Sequence, residues 1–222
     1  MISIVKARNK KNLTLENARM HSELMEQNIY LKNLTEASEK ILLKLMPGDL
    51  PNNKYCNFAA KFRSSDEVGG DMYDSFDIGD YICSYVFDVS SHGILAAVIA
   101  VLLKGFFENM RYNFLHNKDF EVNFPKIISE LNIEFLENSA QYTFASLYIS
   151  FLEKSTKKLY YVSAGHPTQF MFNKTGDIIP MKSTGTLLGA FKEATYKLAE
   201  LNLKKGDKIL MYTDGVTEVA KD

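Results

Sequence analysis

Three aspartates in this 222-residue chain stand where a carboxylate can do chemistry. Asp71 closes Glu67-Val68-Gly69-Gly70-Asp71 and leads into Met72-Tyr73-Asp74. Asp88 follows the apolar run Tyr85-Val86-Phe87 and opens Asp88-Val89-Ser90-Ser91-His92-Gly93. Asp214 follows Ile209 to Thr213 and precedes Gly215. Each is expected at a strand end, where the backbone is rigid and neighbouring small residues let a ligand come close. Carboxylates that converge repel one another, so a stable cluster needs a cation among them. All-oxygen sites select hard ions such as Mg²⁺ or Mn²⁺ over zinc, and two such ions about 3.5–4 Å apart activate water against a phosphate ester. Each aspartate also has a plainer reading. Asp88 would cap a helix starting near Ile94, although Ser90 and Ser91 are closer candidates; Asp214-Gly215 would be a turn; Asp71 would be loop polarity.

The elements that must position these residues are legible in outline. From about residue 12 to 46 there is no glycine or proline. Leu13, Asn17, Met20, Leu24, Gln27, Leu31, Leu34, Ser38, Ile41 and Leu45 alternate by four and three, a heptad seam over more than four heptads with three polar positions. A parallel helix pair is the expectation; a single amphipathic helix lying against the domain would show a similar stripe. Pro47-Gly48-Asp49-Leu50-Pro51 ends the helix and sets a domain boundary near 47.

Beyond that boundary, strands are predicted at 57–63, 72–78 and 81–88, the last two joined by a Gly79-Asp80 hairpin turn. Ile94 to Met110 is almost wholly apolar on every side, which suits a helix buried against a sheet, and Phe124 to Asn138 reads as an amphipathic helix. Strands at 144–151, 159–164 and 169–172 are expected as a meander, and strands at 196–203 and 208–212 as a final hairpin around Lys204-Lys205-Gly206-Asp207. Strands, two helices, then strands argues for α+β with antiparallel sheets.

Composition narrows the class. With 46% apolar and 24% charged residues the chain reads as globular and soluble, and a net charge of −1 carries no basic footprint for nucleic acid. No apolar run approaches the roughly 20 residues of a membrane span, and the N-terminus lacks the apolar core of a signal peptide. Cys56 and Cys83 do not have the number or spacing for a zinc site or disulfide framework, so a reducing, cytoplasmic location is expected.

Glu67-Val-Gly-Gly-Asp-Met-Tyr-Asp74, Asp88-Val-Ser-Ser-His-Gly93 with its apolar helix, Ala164-Gly-His-Pro167 and Tyr212-Thr-Asp-Gly-Val-Thr-Glu218 resemble, in order and spacing, the motifs of the SpoIIE-like branch of the PPM (protein phosphatase 2C-like) phosphatases. Ala37 to Pro47 resembles the helical linker before such domains. The resemblance implies an antiparallel β-sandwich flanked by helices, here behind an N-terminal coiled-coil helix. Residues 1–46 would be the helical linker and 47–222 the phosphatase domain. It further implies two Mn²⁺ or Mg²⁺ ions held by Asp71, Asp88 as the bridging ligand, the Val89 carbonyl and Asp214, with a water attacking phosphorus in line.

His92, four residues after Asp88, would protonate the leaving serine oxygen or hold the helix start; its spacing favours the second role. His166 is expected as a turn residue packed near the site, and Glu67 and Asp74 as groups orienting the ligands. Ser91 stands where the family usually has glycine. The family pattern also continues past Tyr212-Thr-Asp-Gly to a helix, a strand and an Asp-Asp-x-Thr motif, whereas this sequence stops at Asp222. The expected function is a metal-dependent serine/threonine protein phosphatase acting on a phosphorylated regulatory protein of the anti-anti-sigma (STAS) type, as a homodimer through the helix. The alternative is a catalytically inactive dimeric binding module.

Overall fold

The computed structural model describes residues 2–63, 69–117, 123–139 and 142–218, with the side chains of the first helix described from residue 12. Helix α1 (Ile2–Leu45) carries the heptad stripe and stops ahead of Pro47. Two strands follow, β1 (Met72–Ile78) and β2 (Tyr81–Val89), then helices α2 (Gly93–His116) and α3 (Phe124–Asn138). The chain continues through β3 (Ala145–Glu153), β4 (Lys158–Ala164), β5 (Gln169–Phe172), β6 (Ile178–Met181), β7 (Ala199–Asn202) and β8 (Lys208–Leu210). A 3₁₀ turn, Asp214–Val216, closes the described residues.

The strands form two antiparallel sheets, ordered β1-β2-β3-β4-β7 and β6-β5-β8. Alternation along the large sheet sorts its side chains by face. Met72, Phe76, Cys83, Tyr85, Phe87, Leu147, Ile149 and Phe151 meet the helices, while Val86, Tyr148, Leu159 and Tyr161 meet Met171 and Met181 of the small sheet. The α+β sandwich expected from the sequence is therefore present. Phe107 of α2 stacks on Tyr85 at 4.0 Å, and Phe124 of α3 on Phe151 at 3.8 Å. Burying each such ring contributes roughly 1.5–3 kcal/mol. At its C-terminal end α1 packs on α2, with Leu42 buried in this core.

Four expectations are corrected. Residues 57–63 join no sheet: Asn53 Oδ1 accepts from the N–H groups of Tyr55 and Cys56, and Asn52 Oδ1 from that of Phe58, holding the approach as a loop. Strand β6 escaped the sequence reading because it contains Pro180, which an edge strand tolerates. Neither the meander nor the last hairpin forms as expected. β4 pairs with β7 and β5 with β8, so the Lys204–Asp207 turn carries the chain from one sheet to the other. Ala199, Leu201 and Ile209 thereby reach one core from opposite sides.

Helix α2 is buried on one face only: Ala96, Ile99, Ala100, Leu103 and Phe107 point inward, while Leu95, Val98 and Leu102 are exposed. Its 24 residues are long and apolar enough to cross a membrane, contrary to the sequence expectation. Its inner face, however, packs on the sheet and carries the buried Lys104.

Candidate metal centre

The site grows from strand register. Met72 pairs with Phe87, so the residue before β1, Asp71, comes to lie opposite Asp88 near the end of β2. Asp88 in turn pairs with Ser146 of β3. Asp71, Asp88 and Ser146 thus form a row across one end of the large sheet. Gly70 permits this approach: a Cβ there would lie 2.8 Å from Val89 Cβ and 3.1 Å from the Val89 carbonyl oxygen. The Val89 carbonyl also accepts the Ser91 N–H at 2.7 Å.

The segment after β8 reaches this row under tight control. Ser146 Oγ lies 2.7 Å from His166 Nδ1, and His166 Nε2 lies 3.1 Å from the Tyr212 carbonyl oxygen. A carbonyl can only accept, so Nε2 carries the proton and Nδ1 accepts from the serine hydroxyl. Burial lowers the His166 pKa to about 4, which keeps the ring neutral. Fully buried Gln169 donates to the same carbonyl at 3.1 Å and accepts the Tyr212 N–H at 2.6 Å. With Tyr212 held on both sides, Thr213 Oγ1 donates to Asp71 Oδ2 at 2.8 Å. Asp214 lies four residues beyond the end of β8 rather than at a strand end, and begins the 3₁₀ turn.

The electrostatics are one-sided. The Asp88 carboxyl is pushed up to about 8, first by burial, then by the charge of Asp71, the hydrogen bond to it, and the charges of Asp214 and Glu218. Asp71 is also raised, by burial first, with the Thr213 hydroxyl and the bond to Asp88 opposing. The pair therefore shares a proton, and among the described residues no lysine or arginine acts on either carboxyl. Such a donor set suits a hard cation, which would take the place of the shared proton. Among the described residues no three His, Cys, Asp or Glu side chains converge closely enough to enclose one ion. Asp214 acts on the pair through its charge rather than by contact.

The other sequence-predicted residues sort differently. His92 occupies the N-cap position of α2 (φ −127°), exposed and without a side-chain capping bond. The loop is held instead by Ser90, which exchanges two 2.9 Å bonds with the backbone of Phe144. Asp74 is corrected: it points to the helix side of the sheet, where it is buried and ion-paired with Lys104 of α2. Glu67 lies outside the described residues. Ser146, Gln169 and Thr213 were missed from sequence, because only the long-range register marks Ser146 and only its burial marks Gln169.

The family model described as Stage II sporulation protein E (SpoIIE) matches residues 79–222, a stretch that includes Asp88, His92, His166 and Asp214 but begins after Asp71. The chain is similar to Protein IcfG of Synechocystis sp., 28% identical over 205 residues covering 82% of this chain and 32% of that protein. It is also similar to Phosphoserine phosphatase RsbU of Bacillus subtilis, 23% identical over 189 residues covering 85% of this chain and 54% of that one. It thus spans between about a third and a half of the length of these relatives. Among solved structures, the SiaA-PP2C domain of Pseudomonas aeruginosa superposes with a TM-score of 0.64 at 14% identity, over 85% of this chain and 73% of that domain, which shows a shared fold.

Proposed function

The chain belongs to the SpoIIE family, and from that premise we propose that it is a metal-dependent serine/threonine protein phosphatase. Its substrate in this reading is phosphoserine or phosphothreonine on a cytoplasmic regulatory protein of the anti-anti-sigma (STAS) type. The supporting observation is the Asp71–Asp88 pair, two half-buried carboxyls sharing a proton among further acids. Asp71, Asp88, Asp214 and the Val89 carbonyl would hold two Mn²⁺ or Mg²⁺ ions. Ions bound there would lower the pKa of water and shield the phosphate oxygens.

The remaining tasks fall to the chain itself. Gly70 and Thr213 set the position of Asp71, and His166 with Gln169 steadies the backbone that presents Asp214. His92, exposed on the Asp88 loop, is available to protonate the leaving serine oxygen. A thiolate route has little support: burial pushes both Cys83 and Cys56 thiols up, leaving neither activated. Residues 1–46 form the stalk in this reading, pairing two copies, and 47–222 the phosphatase domain.

One observation favours a second reading, a catalytically inactive binding module: the acidic side chains among the described residues do not enclose an ion. Hydrolysis of a phosphoserine peptide, with and without millimolar Mn²⁺, separates the two. Metal-dependent turnover that disappears in a folded Asp88→Asn variant is the expected result. No turnover together with weak Mn²⁺ binding by calorimetry would favour the binding module, and turnover retained in Asp88→Asn would mean the centre lies elsewhere.

A further inference from the structure

Beside the candidate centre, the loop after Asp88 is fastened to a second loop crossing. Ser90 exchanges its two hydrogen bonds with Phe144, and the next residue, Ala145, exchanges both backbone bonds with Leu188 at 3.0 and 2.9 Å. Tyr142 and Phe191 lie on these two segments, each three residues from the Ala145–Leu188 bridge. The two chains cross closely here, since a Cβ on Gly189 would lie 2.8 Å from the Thr143 carbonyl oxygen.

The crossing is held from beneath by α3. Fully buried Asn132 accepts the Gly189 N–H at 2.9 Å through Oδ1 and donates to the Phe191 carbonyl at 3.0 Å through Nδ2. Two large aromatic side chains face outward from this clamped structure, Tyr142 89% and Phe191 52% exposed. Tyr142 also adopts a left-handed backbone (φ +63°), rare for a bulky residue. Strain of this kind persists where surrounding structure enforces it, and it concentrates at ligand contacts.

A lone exposed apolar residue needs no explanation. Two exposed aromatics on adjoining segments, hydrogen-bonded through Phe144 to the Asp88 loop, are a different matter. Aromatic rings have few rotatable bonds, so they lose little entropy on binding, and they dominate the energetics of protein contacts. Resting on the phosphatase reading, we propose that Tyr142 and Phe191 form an aromatic rim that grips the polypeptide flanking the phosphoserine and selects apolar flanking side chains. A chain whose phosphate reaches Asp88 lies across the same end of the sheet, where the rim meets its neighbouring residues.

Three probes test this in the presence of Mn²⁺: p-nitrophenyl phosphate, a phosphoserine peptide flanked by leucines, and the same peptide flanked by glycines. The wild-type chain should favour the leucine peptide by about tenfold in kcat/KM. In the double variant Tyr142→Asn, Phe191→Ser, with asparagine chosen because it tolerates the left-handed backbone, that preference should vanish through KM. Hydrolysis of p-nitrophenyl phosphate, which has no flanking chain, should stay within about twofold. The single variant Tyr142→Phe, which keeps the ring, should retain the preference. Equal turnover of both peptides by the wild type, or a preference surviving in the double variant, overturns the rim while leaving the phosphatase reading in place. A wild type inactive on all three probes overturns the phosphatase reading and the rim with it.

Discussion

A proton shared by Asp71 and Asp88 makes the metal-free chain sensitive to pH. The Asp88 carboxyl titrates near 8 when folded, against an ordinary value of 3.8. The folded chain therefore keeps a proton that the unfolded chain releases. The stability this contributes is complete below the ordinary carboxylate value and is lost as pH rises through about 8. Urea midpoints measured in chelator should fall across that window, and the fall should flatten in Asp88→Asn, which has no carboxyl to titrate. A midpoint independent of pH in the wild type would mean the proton is not held. Mn²⁺ affinity should run the other way, rising with pH, because the ion must displace that proton.

At the scale of elements, α2 is pinned to the sheet by one buried ion pair. Lys104 meets Asp74 of β1, with Glu108 at 2.8 Å on the same ammonium group. The pair lies about three turns along the helix that starts just after the Asp88 loop, so it sets where that loop ends. Removing one partner leaves an uncompensated buried charge, and Lys104→Met should cost about 3–5 kcal/mol in denaturant unfolding. The double variant Asp74→Leu, Lys104→Met should recover most of that loss, since an apolar pair of similar volume needs no countercharge. If the single and double variants are equally unstable, packing rather than charge pins the helix.

At the scale of the whole molecule, the proposed pairing of two copies rests on α1. Leu13, Met20, Leu24, Leu31, Leu34 and Ile41 remain exposed along α1 among the described residues, an apolar seam. If two copies zip together there, light scattering should give twice the 25.2 kDa chain mass, and Leu24→Lys with Leu31→Lys should halve it. A monomeric wild type would reject the paired stalk. Leu42 and Leu45, in the last turn of α1, pack into the domain core, several turns beyond Leu24 and Leu31, so the double variant should leave the phosphatase fold intact.

Much of this protein was legible before any folding was considered. The three aspartates, the turn at Gly79, the helix stop at Pro47 and the order of strands and helices are local signals, written in spacing and in residues that permit or forbid a conformation. Pairing between distant strands is not local. Whether β7 and β8 make a hairpin or enter different sheets depends on which apolar faces are buried together, and a stretch of sequence shows the face without its partner. The same holds for the site. Asp71 meets Asp88 through strand register, and Ser146, His166 and Gln169 steady Tyr212 through contacts that span up to 46 positions of sequence. Asp74, only three residues from Asp71, turns instead to the opposite face of the sheet and to Lys104, because a carboxylate buried under α2 requires a cation there. Sequence alone determined which groups could do chemistry and in what order they occur; which of them meet was decided by burial in the tertiary structure.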